Sequence, residues 1–222
     1  MSAVGPWLVI DTAAPVAVVA VVNDGVVLGE HLLSETKRHA ESLIGALDRA
    51  LLLAGVALDD VEGVGVGRGP GSFIGVRTGI ATAKGLALAR GMPLVGLPSL
   101  LALGASPELP DGIGLAVIDA KRGEVYAQLI ERVAGAARAL EPPAAISPAD
   151  AVARAAGRAF IVGSGLDVAA PEARVRLPRP GPSAAGLARV LADRIADGAR
   201  DETDALVPDY CRAPDAKLPA PR

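Results

Sequence analysis

Runs of β-branched residues broken by glycine set the rhythm of the first third of the chain. Trp7-Leu8-Val9-Ile10 ends at Asp11-Thr12, and a second apolar stretch covers 16–22. Both predict strands. Asn23-Asp24-Gly25 separates the second stretch from 26–28, and a small turn cluster between β-branched runs is a hairpin signal. From 34 to 54 the period changes: Leu43, Ile44, Leu47, Ala50, Leu51 and Ala54 recur at helical spacing, with Gly55 placed to stop the helix. Residues 61–67 read as a short buried strand. Gly69-Pro70-Gly71-Ser72 turns that strand into a second helix over 73–90; 92–96 predicts another strand, and 98–103 a helix opened by proline. The order is β-β-β-α-β-α-β-α.

The second half repeats this scheme in reduced form. Leu115-Ala116-Val117-Ile118-Asp119 echoes Leu8-Val9-Ile10-Asp11, each run ending at an aspartate. A strand over 124–131, a helix over 147–156, the Phe160-Ile161-Val162-Gly163-Ser164-Gly165 echo of the glycine turn and a helix over 183–196 complete it. The duplication predicts an α/β protein of two lobes, 1–105 and 106–222, with both aspartate-ended strands pointing into a cleft between them. Pro142-Pro143 and 178–182 read as surface connections, and the Pro-rich tail from Leu206 as ending loosely.

Composition narrows the function classes. Over half of the 222 residues are hydrophobic, yet every apolar run is broken well before about 18 residues, so no membrane helix is predicted. The N-terminus has no basic segment before its apolar run and does not read as a secretory signal; a cytoplasmic location is the expectation. A lone cysteine, Cys211, makes neither an internal disulfide nor a Cys-rich metal site. A net charge of −3 and 2% aromatics leave neither a phosphate-binding surface nor a base-stacking platform.

The segment 65–79 is the most informative. Gly69, Gly71 and Gly75 give G-x-G-x-x-x-G, which is not the dinucleotide fingerprint, and no Lys-Ser or Lys-Thr follows to make a Walker loop. Anion binding at the helix start and a turn that needs positive φ angles both remain open. Within the helix, each of Gly75, Gly79 and Gly85 costs about 1 kcal/mol relative to alanine, so close approach of another backbone is the expected compensation. Gly75, Gly79, Ala83 and Ala87 form one bare row, facing either the chain's own sheet or a helix of another chain.

Candidate catalytic residues are few. His31 and His39 fall on different elements with no metal-binding spacing. Ser72 lies outside a G-x-S-x-G elbow and reads as a helix cap. Asp11 and Asp119 are weak candidates for a metal–nucleotide complex, because Thr12-Ala13-Ala14 lacks the glycine of a tight phosphate turn. The block 119–126 is either a locally paired hairpin or a binding element. No catalytic or metal residue is assigned.

Residues 69–79, Gly-Pro-Gly-Ser-Phe-Ile-Gly-Val-Arg-Thr-Gly, resemble the G-P-G-S-F-T-G-[LV]-R-x-G signature of the TsaB (YeaZ) family, as do Ile10-Asp11-Thr12-Ala13, His39-Ala40-Glu41-Ser42-Leu43, 81–87, 119–126 and 208–212. Ile74 and Val76 stand where that signature often has Thr and Leu. The resemblance implies an actin-like (ASKHA, ribonuclease H-like) duplicated fold with mixed sheets. It implies a non-catalytic subunit needed for N6-threonylcarbamoyladenosine at position 37 of tRNAs reading ANN codons. Such a subunit pairs with a TsaD-like transferase subunit and a TsaE-like ATPase, self-dimerises without its partner, and meets tRNA only through the complex. No cofactor is required by the chain itself, with ATP or ADP expected at most at a complex interface. Through the two N-lobe helices, the expected partner interface comprises Leu43, Leu47, Gly75, Val76, Gly79, Ala83 and Leu86. A stand-alone actin-like ATPase or sugar kinase is the alternative, and a peptidase is disfavoured.

Overall fold

The computed structural model describes residues 5–34, 40–164, 175–200 and 203–211. Strands β1 (Trp7–Asp11), β2 (Val16–Asn23), β3 (Val26–Ser34), β4 (Gly63–Gly67) and β5 (Leu94–Leu97) form one sheet in the order β3-β2-β1-β4-β5. A second sheet contains β6 (Gly112–Lys121), β7 (Glu124–Val133), β8 (Ala136–Ala139), β10 (Phe160–Gly163) and β11 (Val175–Pro178). Its order is β11-β10-β6-β7-β8, with β9 (Ala144–Ile146) also paired to β7.

Both sheets are an antiparallel meander of three strands followed by two strands parallel to the first. β1 pairs β2 antiparallel and β4 parallel, just as β6 pairs β7 antiparallel and β10 parallel. Each β-strand turns alternate side chains to opposite faces, and the burial follows. Leu8 and Ile10 point to one core cluster and Val9 to another; Ala116 and Ile118 face one way, Leu115 and Val117 the other.

Helices α1 (Ala40–Ala54) and α2 (Phe73–Arg90) cover one face of the first sheet, with Leu43, Leu47, Val76 and Ile80 in its cluster. Its other face is covered by α5 (Ala184–Ala196), although that helix comes from the second half of the chain: Leu187 and Leu191 pack with Val9, Val18 and Leu97. Helix α3 (Ser99–Gly104) lies between the sheets, sending Ala102 toward the first and Leu100 and Leu103 toward the second. It meets α5 at Gly186, where any β-carbon would overlap the Ala102 carbonyl. Helix α4 (Pro148–Ala155) covers the outer face of the second sheet.

Two expectations change, and the described part of the tail, whose end lies outside the described residues, is fixed in place. Residues 178–182 are not a plain surface connection, because Gly181 and Pro182 are buried and Gly181 packs against Ala14 and Val16. The tail is anchored as far as it is described: Leu206 enters the first core cluster, and the Asp209 N–H donates to the Arg68 carbonyl at 2.7 Å. Ser34 ends β3 and α1 begins at Ala40; the first part of the predicted helix, with His39, lies outside the described residues.

Candidate functional site

The glycine turn between β4 and α2 is built around the end of β1. Asp11 is fully buried. One carboxylate oxygen accepts the Ala13 N–H at 2.8 Å and the other accepts the Ser99 hydroxyl at 2.6 Å. The Ser99 oxygen accepts the Gly69 N–H at 3.2 Å, while the Ser99 N–H donates to the Gly69 carbonyl at 3.0 Å. The Ser72 N–H donates to the Ala13 carbonyl at 2.7 Å, and the Thr12 hydroxyl to the Gly75 carbonyl at 2.7 Å. Asp11 therefore ties together β1, the glycine turn and the start of α3.

This arrangement explains the glycines. A β-carbon at Gly67 would overlap the Asp11 carboxylate, one at Gly71 the Ala13 carbonyl, and one at Gly79 the Thr12 hydroxyl. Gly69 adds a positive φ of 92°, the backbone region that glycine alone enters freely. Ser72 caps α2 by accepting the Gly75 N–H at 3.2 Å, and Gly91 closes the helix in the left-handed conformation. Ser99→Ala is expected to destabilise the chain by about 1–3 kcal/mol, since it removes the buried hydroxyl that donates to the Asp11 carboxylate and accepts the Gly69 N–H; the midpoint of urea unfolding checks this.

Asp11, one of the two candidate ligands for a metal–nucleotide complex, is enclosed, and both its oxygens are engaged within the chain. Asp119 lies in the other lobe, where it accepts the Lys121 N–H at 2.7 Å and pairs with the Lys121 ammonium at 3.1 Å. It is engaged locally, at the turn of the β6–β7 hairpin. Ala14, from the loop after β1, and Leu100 and Leu103 of α3 join Ala116, Ile118 and Phe160 in one apolar cluster. Among the described residues no three His, Cys, Asp or Glu side chains gather as a metal site. His31 sits half-buried on β3.

The seven expected interface residues lie toward the chain's own core. Leu43, Leu47, Gly75, Val76, Gly79 and Ala83 are buried within the chain, and Leu86 is half-buried against the same core. The bare row of α2 faces β1 and β4, because Thr12 and the sheet leave no room for larger side chains there. One step round the helix, Ile74, Thr78, Ala81, Gly85 and Leu88 follow a 4-3-4-3 spacing. Ile74 and Leu88 are 75% and 69% exposed, and nothing lies within 4 Å of a β-carbon built at Gly85. On α1, Ile44 and Leu52 are 52% and 69% exposed. The outward face of the helix pair is thus aliphatic at its ends and small in the middle.

The C-terminal segment adds to that face. Arg77 stacks on Phe73 at 3.8 Å from the ring centre and donates to the Tyr210 hydroxyl at 2.8 Å, so Tyr210 is held beside the start of α2. Next to it, burial first and Asp209 second push the Cys211 thiol up to about 11. A raised thiol pKa means less thiolate at a given pH. At pH 8, native Cys211 is expected to react with iodoacetamide at least about 100-fold more slowly than in the unfolded chain, as thiol titration would measure.

A duplicated meander-plus-parallel sheet, with an apolar helix face outside, defines an actin-like α/β protein. The family model described as "TsaD: tRNA N6-adenosine threonylcarbamoyltransferase" matches residues 27–217. An uncharacterised protein of Mycobacterium tuberculosis is 35% identical over 213 residues, spanning 95% of this chain and 93% of that one. The tRNA threonylcarbamoyladenosine biosynthesis protein TsaB of Escherichia coli is 39% identical over 121 residues, 54% of this chain and 52% of its own length. A crystal structure of a Pseudomonas aeruginosa protein, described as uncharacterised with similarity to peptidase YeaZ, superposes with a TM-score of 0.81 at 28% identity. It covers 94% of this chain and 100% of that one. The chain belongs to the TsaD family, in its TsaB (YeaZ) branch.

Proposed function

We propose that this chain is a non-catalytic subunit in the formation of N6-threonylcarbamoyladenosine at position 37 of tRNAs reading ANN codons. It docks on a TsaD-type transferase through the outward face of α1 and α2. The observation that carries this reading is the exposed 4-3-4-3 seam of α2, Ile74 to Leu88 with Ala81 and Gly85 in its middle. Spacing of that kind suits packing against a further helix, and small central residues let the two backbones approach closely. Aliphatic side chains this exposed gain free energy when a partner covers them.

The internal engagement of Asp11 and Asp119 supports a role without chemistry of its own. The transferase then supplies the metal, the nucleotide and the transfer step, and a TsaE-type ATPase supports turnover. Without the transferase, the same face pairs with a second copy of the chain. tRNA is met through the complex, consistent with a net charge of −3.

Size-exclusion chromatography with light scattering tests the pairing. The chain mixed with the TsaD-type subunit of its own organism is expected to run as a mixed complex that displaces any self-dimer. Two folded proteins that elute separately at micromolar concentration would overturn the proposal.

A further inference from the structure

β3 is the outer strand of the first sheet and runs for nine residues, so one side of its backbone has no strand beside it among the described residues. Native sheets cover or charge such an edge, because its free N–H and C=O groups template another strand. Here the opposite face is already supported: Gly29 lies so close to the backbone of α1 at Ala50 and Ala54 that a β-carbon would overlap it. The face toward α5 is covered near the hairpin turn, where Ala192 lies beside Gly25 and Val27 packs against the α5 cluster.

At the other end of the hairpin the sheet is open. A groove of about 430 Å³ lies there between Val16, Val18 and Leu32 on the strands and Pro182, Ala184 and Ala185 at the start of α5. Leu32 is 53% exposed above it. Two carboxylates reach the groove, Glu30 and Glu108. Glu108 is neutralised by its ion pair with Arg179, whereas Glu30, exposed at the middle of the edge, makes no ion pair among the described residues.

We propose that this edge docks an extended segment of a partner protein, which adds a sixth strand to the first sheet. That segment sets a lysine or arginine opposite Glu30 and an aliphatic side chain on each side of it, one of them over Leu32 and the groove. Main-chain hydrogen bonds then supply affinity, and the alternate side chains supply selection. A second copy of β3 is a poor occupant. Antiparallel self-pairing centred on Glu30 sets two carboxylates face to face, and shifted registers lay Glu30 against Leu28 or Leu32.

The test is fluorescence anisotropy of the full chain with a labelled peptide, Ser-Val-Ser-Lys-Ser-Val-Ser, and with its Lys→Glu counterpart. The wild type is expected to bind the lysine peptide saturably. Glu30→Lys, an exposed change away from the outward face of α1 and α2, is expected to weaken that binding about ten-fold and to reverse the preference toward the glutamate peptide. No saturation of the wild type up to about 1 mM, or equal affinities across the four combinations, would overturn the proposal. So would a change of oligomeric state in Glu30→Lys without an effect on peptide, which would identify a second copy as the occupant. Binding to the transferase subunit, measured on the same variant, is expected to be unchanged, so the two proposals fail separately.

Discussion

Replacing Gly79 with leucine is expected to cost the chain its fold before it costs a partner. A β-carbon at Gly79 already overlaps the Thr12 hydroxyl, and that hydroxyl donates the 2.7 Å bond to the Gly75 carbonyl that ties α2 to the end of β1. Leucine would push the helix off the sheet along the buried row Gly75, Val76, Gly79 and Ala83. Overpacking costs about 1–3 kcal/mol and a stranded buried hydrogen-bonding group about 1–3 kcal/mol more, against a total stability of about 5–15 kcal/mol for a typical domain. The expected result is a chain with no cooperative urea transition, or one at much lower urea, followed by far-UV circular dichroism. Gly79→Ala should shift the midpoint in the same direction by less. An unchanged midpoint together with weakened transferase binding would mean that the bare row is a docking surface after all.

Gly85→Arg is expected to do the opposite. Its β-carbon points into open space, so the fold should hold. Loss of a mid-helix glycine should even stabilise α2 by roughly 0.5–1 kcal/mol. In the proposed complex the same side chain stands in the middle of the seam, between Ala81 and Leu88, where a close helix contact has no room for a guanidinium. Central interface positions lose about 2–4 kcal/mol when disrupted, so the affinity for the transferase subunit is expected to fall by about 30- to 1000-fold, read by calorimetric titration. A variant that is fully stable yet binds like the wild type would move the docking face away from α2.

The two glycines mark how much the sequence could tell. The helix, its Ser72 cap and the presence of a close neighbour were legible, because glycine in a helix interior needs compensation. Which neighbour was not legible, since a small-residue row suits a sheet and a foreign helix equally. The exposed seam was the better signal for a partner: Ile74 and Leu88 are aliphatic side chains on the face away from the buried row. The duplication was legible from the two aspartate-ended strands, but not the crossing of α5 back to the first sheet, which no local pattern encodes.

The short strands of the second half escaped for local reasons. Ala136–Ala139 has helix-forming composition and is held as a strand by pairing with β7. Val175–Pro178 ends in proline and merges with the Pro-rich stretch, yet lies parallel beside β10. For Asp11 the sequence offered a carboxylate at a strand end, and strand tips facing a cleft are where ligands tend to sit. Its enclosure depends on Ser99, 88 residues away, a contact that only the folded chain creates.

The central claim is that this chain lends surface, and the transferase supplies the chemistry. The most direct test is multiple-turnover formation of threonylcarbamoyladenosine on tRNA, quantified by mass spectrometry, with the TsaD-type transferase, the TsaE-type ATPase and threonylcarbamoyl-adenylate, with and without this chain. The account predicts sustained turnover only when the chain is present, loss of turnover with Gly85→Arg, and no modification by the chain alone. Equal turnover in its absence, or modification by the chain on its own, would contradict it.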